Sequence, residues 1–403
     1  MDFNDDQSYA LVDRQAIIAN RVPARWCRTL PDAEGERAVR PEYSFAQSQT
    51  NGGTYSFVSP APVNKAQDES QATRVQCQLC PKFCAIAPGK TGACSARINY
   101  DGRLYARFYG RPASVAIDPI EKKPLYHFLP GTPILSLGTK GCNLSCKFCQ
   151  NWTLSTPLPV GEEVSTILTP KQIVDVAKAK GCQSVAFTYN EPTIWAEFVV
   201  DAARLCRKEN IKTVAVTNGM IVGKARETFY DAIDAANVDL KSFSPDFYRE
   251  LTGGDLNVVK ETLEFIAKKT NVWLETTTLL IPTCNDSDDE IRTLSRWLVE
   301  SLGARVPLHF SAFFPTYKLT SLPRTPASTL HRAAEIAKEE GVEFVYLGNV
   351  DDKAGRTTVC PNCRRALIER TASYKTSITS FLEIDASRHA TCKNCGHKIP
   401  GVF

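Results

Sequence analysis

The chain has 403 residues, 43% of them hydrophobic, with 48 basic and 44 acidic side chains and a net charge of +4. That length allows more than one domain, each with its own core. The charge is mild and well mixed, without the clustered basic face of a nucleic-acid binder, and no apolar run approaches the roughly 18 residues of a membrane span, so neither nucleic acid nor membrane is an expected partner.

The N-terminus, Met1-Asp2-Phe3-Asn4-Asp5-Asp6, is acidic and lacks a signal peptide's charged-then-apolar order. Of 15 cysteines, eleven fall into three tight clusters and four (Cys27, Cys182, Cys206, Cys284) are scattered. Clustered cysteines without an export signal read as metal sites in a reducing compartment, so a cytoplasmic location is expected.

Residues 1–72 form a poorly patterned extension, rich in Ser, Gln, Asn, Gly and Pro between residues 40 and 70. Low hydrophobic density cannot offset ordering entropy, so much of it is expected to be mobile, with one short helix near residues 13–20.

A Cys-rich module is expected over residues 73–128. Cys77, Cys80, Cys84 and Cys94 stand at C-x2-C-x3-C-x9-C, with Gly89 and Gly92 permitting tight turns. Four thiols this close suit zinc, the default for four thiolates, or a second iron–sulfur cluster; spacing alone does not choose. Alternation over residues 103–109 after Asp101-Gly102 predicts a small β-hairpin. The connector Asp118-Pro119-Ile120-Glu121-Lys122-Lys123-Pro124 reads either as a solvated link or as part of an active-site mouth.

From residue 129 to 350 apolar strands alternate with amphipathic helices. Strands are expected at 134–137, 184–188, 213–217, 238–240, 272–280, 307–313 and 343–347, and helices at 171–180, 195–209, 224–236, 289–302 and 329–340. This alternation means an α/β fold of parallel βαβ units, curled into a barrel or a doubly wound sheet. In barrels the chemistry sits at the C-terminal strand ends.

After the first of these strands, Cys142, Cys146 and Cys149 stand at C-x3-C-x2-C in Gly141-Cys142-Asn143-Leu144-Ser145-Cys146-Lys147-Phe148-Cys149. A [4Fe–4S] cluster normally takes four thiolates. Three would leave one iron free to bind a small molecule, which suits a reactive site. The alternative is a structural zinc knuckle, but no fourth ligand lies nearby. Thr188-Tyr189-Asn190-Glu191-Pro192 ends the second strand; Glu191 there would project into a mouth or cap a helix. Thr217-Asn218-Gly219 ends the third strand and Asp239-Leu240-Lys241 the fourth, where Asp239 and Lys241 could also be a plain ion pair. Leu280 and Ile281 would be an apolar ligand contact or core. His309, flanked by apolar residues, would be a core histidine or a cofactor contact.

Residues 351–403 form a tail. Cys360-Pro361-Asn362-Cys363 and Cys392-Lys393-Asn394-Cys395 are paired C-x2-C knuckles flanking a 28-residue insert. They predict a zinc-ribbon-like module with a hairpin over residues 378–384, held together by zinc because so few residues cannot build a core unaided.

The C-x3-C-x-Φ-C loop with Phe148 resembles the signature of radical S-adenosylmethionine (SAM) enzymes. With Cys77–Cys94, the connector, Tyr189–Pro192 and the closing Ile399-Pro400-Gly401-Val402-Phe403, residues 74–403 resemble the AmmeMemoRadiSam-system members of that superfamily. These are relatives of the pyruvate formate-lyase activating enzymes. The resemblance implies a partial (β/α)6-type barrel and a [4Fe–4S] cluster on Cys142, Cys146 and Cys149. It implies SAM contacts from Phe148, Asn190, Glu191, Thr217, Asn218, Asp239, Lys241 and His309. Val216 stands where the activating enzymes carry an aspartate, so one anionic ligand of their cation site is absent.

The implied chemistry is reductive cleavage of SAM to a 5′-deoxyadenosyl radical, fed by a reduced flavodoxin- or ferredoxin-type donor. The radical would abstract hydrogen from a protein glycine, a peptide or a small molecule. Memo-like and AMMECR-like proteins are the implied partners. The rival class is a metal-binding scaffold with all three cysteine clusters structural.

Overall fold

The structure, a computed structural model, describes residues 14–19, 21–30 and 73–403. The expected mobility of the N-terminal extension falls largely outside these residues. Its described part is not independent of the fold: helix α1 (Arg14–Ile18) buries Ile17, and strand β1 (Cys27–Thr29) pairs with β2 (Val75–Cys77). The Cys-rich segment continues with β3 (Ala85–Ile86) and the predicted hairpin, β4 (Arg97–Tyr100) and β5 (Arg103–Ala106). Asp101 and Gly102 both take positive φ, 51° and 80°, as the tight hairpin turn requires.

An eight-stranded sheet carries the rest. Its edge is β6 (Ser114–Pro119), antiparallel to β7 (Pro133–Gly138). Then come short helix α2 (Trp152–Ser155), α3 (Pro170–Ala179), β8 (Ser184–Phe187), α4 (Ala196–Lys208), β9 (Lys212–Thr217), α5 (Gly223–Ala232) and β10 (Ala235–Asp239). Short α6 (Pro245–Phe247), α7 (Leu256–Lys269), β11 (Trp273–Leu280), α8 (Asp288–Ser301), β12 (Leu308–Ala312), α9 (Ala327–Glu339) and β13 (Val345–Gly348) complete it. Every neighbouring pair from β7 to β13 is parallel, and spatial order follows chain order. Sequential order with right-handed crossovers keeps the helices on one face, which selects the barrel-like winding over the doubly wound one. The sheet is open: β6 and β13 are its two edges.

The apolar strands become parallel ladders because burial on both faces demands it; all four residues of β8 are buried. The expected strand over 238–240 lies earlier, at Ala235–Asp239, and the preceding helix stops at Ala232 rather than 236. Ala235-Ala236 reads as helical by propensity, but both residues are wholly buried between β9 and β11, and tertiary burial overrides the preference.

The tail adds α10 (Lys353–Arg356), β14 (Thr358–Val359), β15 (Ala366–Arg370), β16 (Thr376–Ile378), β17 (Leu382–Ile384), β18 (Ala390–Cys392) and β19 (Lys398–Ile399). The hairpin expected over 378–384 does not form. β16 pairs with β15 and β17 with β18, in two separate three-stranded sheets. Each knuckle thus sits beside its own sheet. The chain's last residues return to the barrel: Phe128 bridges Val402, and a ring nitrogen of His127 lies 2.7 Å from Pro400 O.

Candidate active site

The cysteine loop follows β7 at the C-terminal end of the parallel strands. Gly141 at its start has φ +86°, and a Cβ there would lie 2.0 Å from Cys94 O, so only glycine lets the two cysteine segments meet. Backbone bonds from Ser145 N to Thr252 O and Lys147 N to Leu251 O pin the loop to the turn after α6. Phe148 is buried and packs on Phe247 at 5.8 Å between ring centres.

Cys142, Cys146 and Cys149 open together onto a cavity of about 470 Å³. Strand ends from β8 to β13 line it, through Asn190, Glu191, Asn218, Asp239, Lys241 and His309 among others. Thr217 is the exception. Side chains alternate along β9, so Val216 faces the cavity while the Thr217 hydroxyl turns away and donates to Glu191 at 2.7 Å. Leu280 and Ile281 are wholly buried core; it is Leu279 that reaches the cavity wall.

Asn190 and Glu191 are bound into the protein. Asn190 accepts from Thr139 N and donates to Gly141 O at 2.8 Å, fastening the cysteine loop. Glu191 caps the turn beginning at Pro192 by accepting from Thr193 N, and also accepts from Thr217 and from Asn218 N at 2.8 Å. Burial pushes its carboxyl up, and these donors pull against it. Asn218 in turn donates to Asn143 at 2.9 Å and lies 3.8 Å from Cys142 Sγ. The two side chains therefore orient the loop as well as bordering the cavity.

Asp239 and Lys241 do form the ion pair, at 2.9 Å, yet both face the cavity. Burial alone would lower the Lys241 ammonium, but Asp239 and the Cys146 thiol raise it above its ordinary value. Burial pushes Cys142 and Cys146 up, Cys146 to about 11 with Lys241 opposing. Metal binding at this loop must therefore displace protons. His309 is both core and cavity residue: it is buried, 2.6 Å from Glu275, and lines the wall.

The connector joins the mouth. Asp118 accepts from Lys123 at 2.8 Å and from Tyr189 OH at 2.7 Å. Burial would raise its carboxyl, but these two donors hold it well below the usual carboxylate range. Tyr189 takes φ 72° to make that contact. Sequence reading missed Tyr374, which the tail delivers to the cavity rim, where neighbouring Thr376 donates to Glu121. No motif marks it; it arrives only through tail docking.

The other cysteine groups differ in spread. In the tail, Cys360 and Cys395 Sγ lie 3.6 Å apart and Cys363 and Cys392 Sγ 3.5 Å apart. Four ligands about 2.3 Å from one tetrahedral ion stand about 3.8 Å from each other, so this quartet fits a single metal ion. Among the described residues, it is the only set of three or more such ligands all within 4.8 Å of one another. Cys142, Cys146 and Cys149 form no such close group, as suits ligands of separate irons.

Residues 136–298 match the Radical SAM superfamily. An uncharacterized protein of Methanocaldococcus jannaschii is 42% identical over 330 residues, 82% of this chain and 96% of its own. The pyruvate formate-lyase 1-activating enzyme of Escherichia coli is 24% identical over 226 residues, 51% of this chain and 89% of its own. The crystal structure of Streptococcus suis SuiB matches with a TM-score of 0.42 and 17% identity, over 57% of this chain and 52% of that one. By its match across the cysteine loop and the parallel strands behind it, the chain belongs to the radical SAM superfamily, with similarity to the pyruvate formate-lyase activating enzymes.

Proposed function

We propose that the chain is a radical SAM enzyme whose Cys142, Cys146 and Cys149 hold a [4Fe–4S] cluster and whose strand-end cavity takes SAM. One observation carries the reading: three thiols of one loop open together onto a cavity lined by polar ends of the parallel strands. Bound there, the cluster and SAM would supply one-electron cleavage of a C–S bond and a radical able to abstract hydrogen.

The chain's own residues bind, orient and exclude water. Asn190, Asn218 and Gly141 fix the loop. Asp239, Lys241 and His309 offer charge and hydrogen bonds to the polar parts of SAM, and Phe148 backs the loop. The connector and Tyr374 narrow the entrance, so substrate access depends on the docked tail.

The similarity to an enzyme named for activating pyruvate formate-lyase supports a protein glycine or peptide as substrate, with a small molecule as the other possibility. The electron would come from a reduced flavodoxin or ferredoxin. The finer assignment is to the AmmeMemoRadiSam system, with Memo-like and AMMECR-like partners and zinc at Cys360, Cys363, Cys392 and Cys395. It rests on the connector, the N-terminal cysteines and the closing Ile399–Phe403 segment.

The deciding experiment is anaerobic reconstitution, dithionite reduction and SAM addition, assayed for 5′-deoxyadenosine. A Cys142/Cys146/Cys149→Ala variant serves as control. Product in the wild type alone supports the reading. No product, with no SAM-induced change in the EPR spectrum of a reduced cluster, refutes it.

A further inference from the structure

Cys77, Cys80, Cys84 and Cys94 surround one small closed cavity, shared with Arg97, on the far side of Asn143 from the active site. The sequence leaves zinc and an iron–sulfur cluster open there. Geometry separates them. A single zinc ion needs its thiolates within about 3.8 Å of each other. The tail quartet comes close to that, with Sγ pairs at 3.6 and 3.5 Å and all four within 4.8 Å of one another, whereas Cys77, Cys80, Cys84 and Cys94 form no such close group. In a cubane each thiolate binds a different iron, so the ligands stand apart around the core. The thiols of the Cys142 loop likewise form no close group.

The backbone opposes collapse to the tighter spacing. Cys77 is fixed in β2 opposite Cys27, and the Cys94 carbonyl lies against Gly141, where even a methyl group has no room. The sequence agrees, with one C-x2-C pair and two separate thiols instead of two matched knuckles.

A second observation is independent of spacing. Arg97 is 1% exposed and lines the same cavity. Its Nη1 donates to Glu197 at 2.6 Å, while Nε and Nη2 have no partner. Buried guanidinium N–H groups left unbonded are costly, so they mark missing acceptors. The sulfurs of an anionic cluster are acceptors of that kind, and hydrogen bonds to them tune the reduction potential.

We infer that Cys77, Cys80, Cys84 and Cys94 hold a second, polynuclear iron–sulfur cluster rather than zinc, with the Arg97 guanidinium donating to its sulfurs. The inference does not depend on SAM chemistry at the Cys142 loop.

The test uses the full chain carrying Cys142/Cys146/Cys149→Ala, reconstituted anaerobically with iron and sulfide. Iron, acid-labile sulfide and zinc are counted, and EPR spectra are recorded after reduction. The expected result is about four iron and four sulfide per chain, about one zinc, and a reduced-cluster signal indifferent to SAM. Adding Cys77→Ala and Cys80→Ala removes the iron and sulfide and leaves the zinc, which also reports that the tail remains folded. About two zinc per chain without sulfide, or no metal beyond a single zinc, overturns the inference. Arg97→Lys in the same background shifts the cluster's midpoint potential; an unchanged potential overturns the guanidinium's part in it.

Discussion

The two cysteine quartets have equal numbers of thiols and opposite settings. The tail quartet is drawn to one point and joins two small sheets that share no strand pairing. The buried cluster around it is built mostly of tail residues, Leu367, Ile368, Leu382 and Ile399 among them, and is completed by Tyr126, Phe344 and Tyr346 from the barrel side. The N-terminal quartet is spread, and its surroundings merge with the main core through Leu79, Ile86 and Leu104 and through the buried Arg97–Glu197 pair. Ligand count alone therefore does not say what a metal site does. The tail quartet is set to hold one metal ion, whereas the N-terminal segment is packed into the main core.

The largest expected effect breaks that comparison on the tail side. Cys363→Ser with Cys392→Ser should remove the single-ion site, which in small zinc modules is worth roughly 10–16 kcal/mol of folding free energy. The tail should become protease-sensitive while the barrel resists; a protected tail would show that the sheets stand without metal. Cys77→Ser with Cys80→Ser should leave the proteolysis pattern unchanged.

Next in size is Glu197→Gln, which strands the Arg97 charge in a site with almost no solvent access. Breaking one side of a buried pair costs about 3–5 kcal/mol. Urea denaturation reads this directly, and a loss under about 1 kcal/mol would mean that this pair does not hold the N-terminal segment.

Thr217→Val tests a smaller contact. It removes one donor from Glu191, with a loss of about 1 kcal/mol. Because Thr217 lies behind the wall, SAM affinity should change little; a large loss would put its hydroxyl in the cavity after all.

A further test is in pH dependence, where the tail meets the barrel. Burial lowers His127 from 6.5 to about 4, with Glu275 opposing. The unfolded chain then binds a proton that the folded chain refuses, so this stability is present above pH 6.5 and is lost as pH falls toward 4. The melting temperature of His127→Gln should fall less steeply over that window than the wild type's. Parallel profiles would remove His127 from the acid response.

Much of this was legible because local chemistry and global fold agree. Apolar runs of strand length separated by amphipathic helices can bury themselves only as a parallel sheet, and the polar residues after them must collect at one end. The three-thiol loop, the tail knuckles and the turn at Asp101-Gly102 carry their geometry in their spacing. Strand β10 was misplaced because helix propensity, even alanine's, is small beside burial between two neighbouring strands. The 378–384 hairpin failed because short strands pair with whichever edge the knuckles present. Thr217 was assigned to the cavity although strand alternation turns it to the other face.

The sequence by itself determined the α/β class, the gathering of polar residues at the C-terminal strand ends and the grouping of the clustered cysteines into three segments, since period and spacing are local properties. Tertiary structure alone decided the rest: that Asp118 and Tyr374 reach the mouth, that Asn190 and Glu191 fasten the loop, and that one quartet is tight and the other wide. Those facts depend on distances between residues far apart in the chain, and only packing sets such distances.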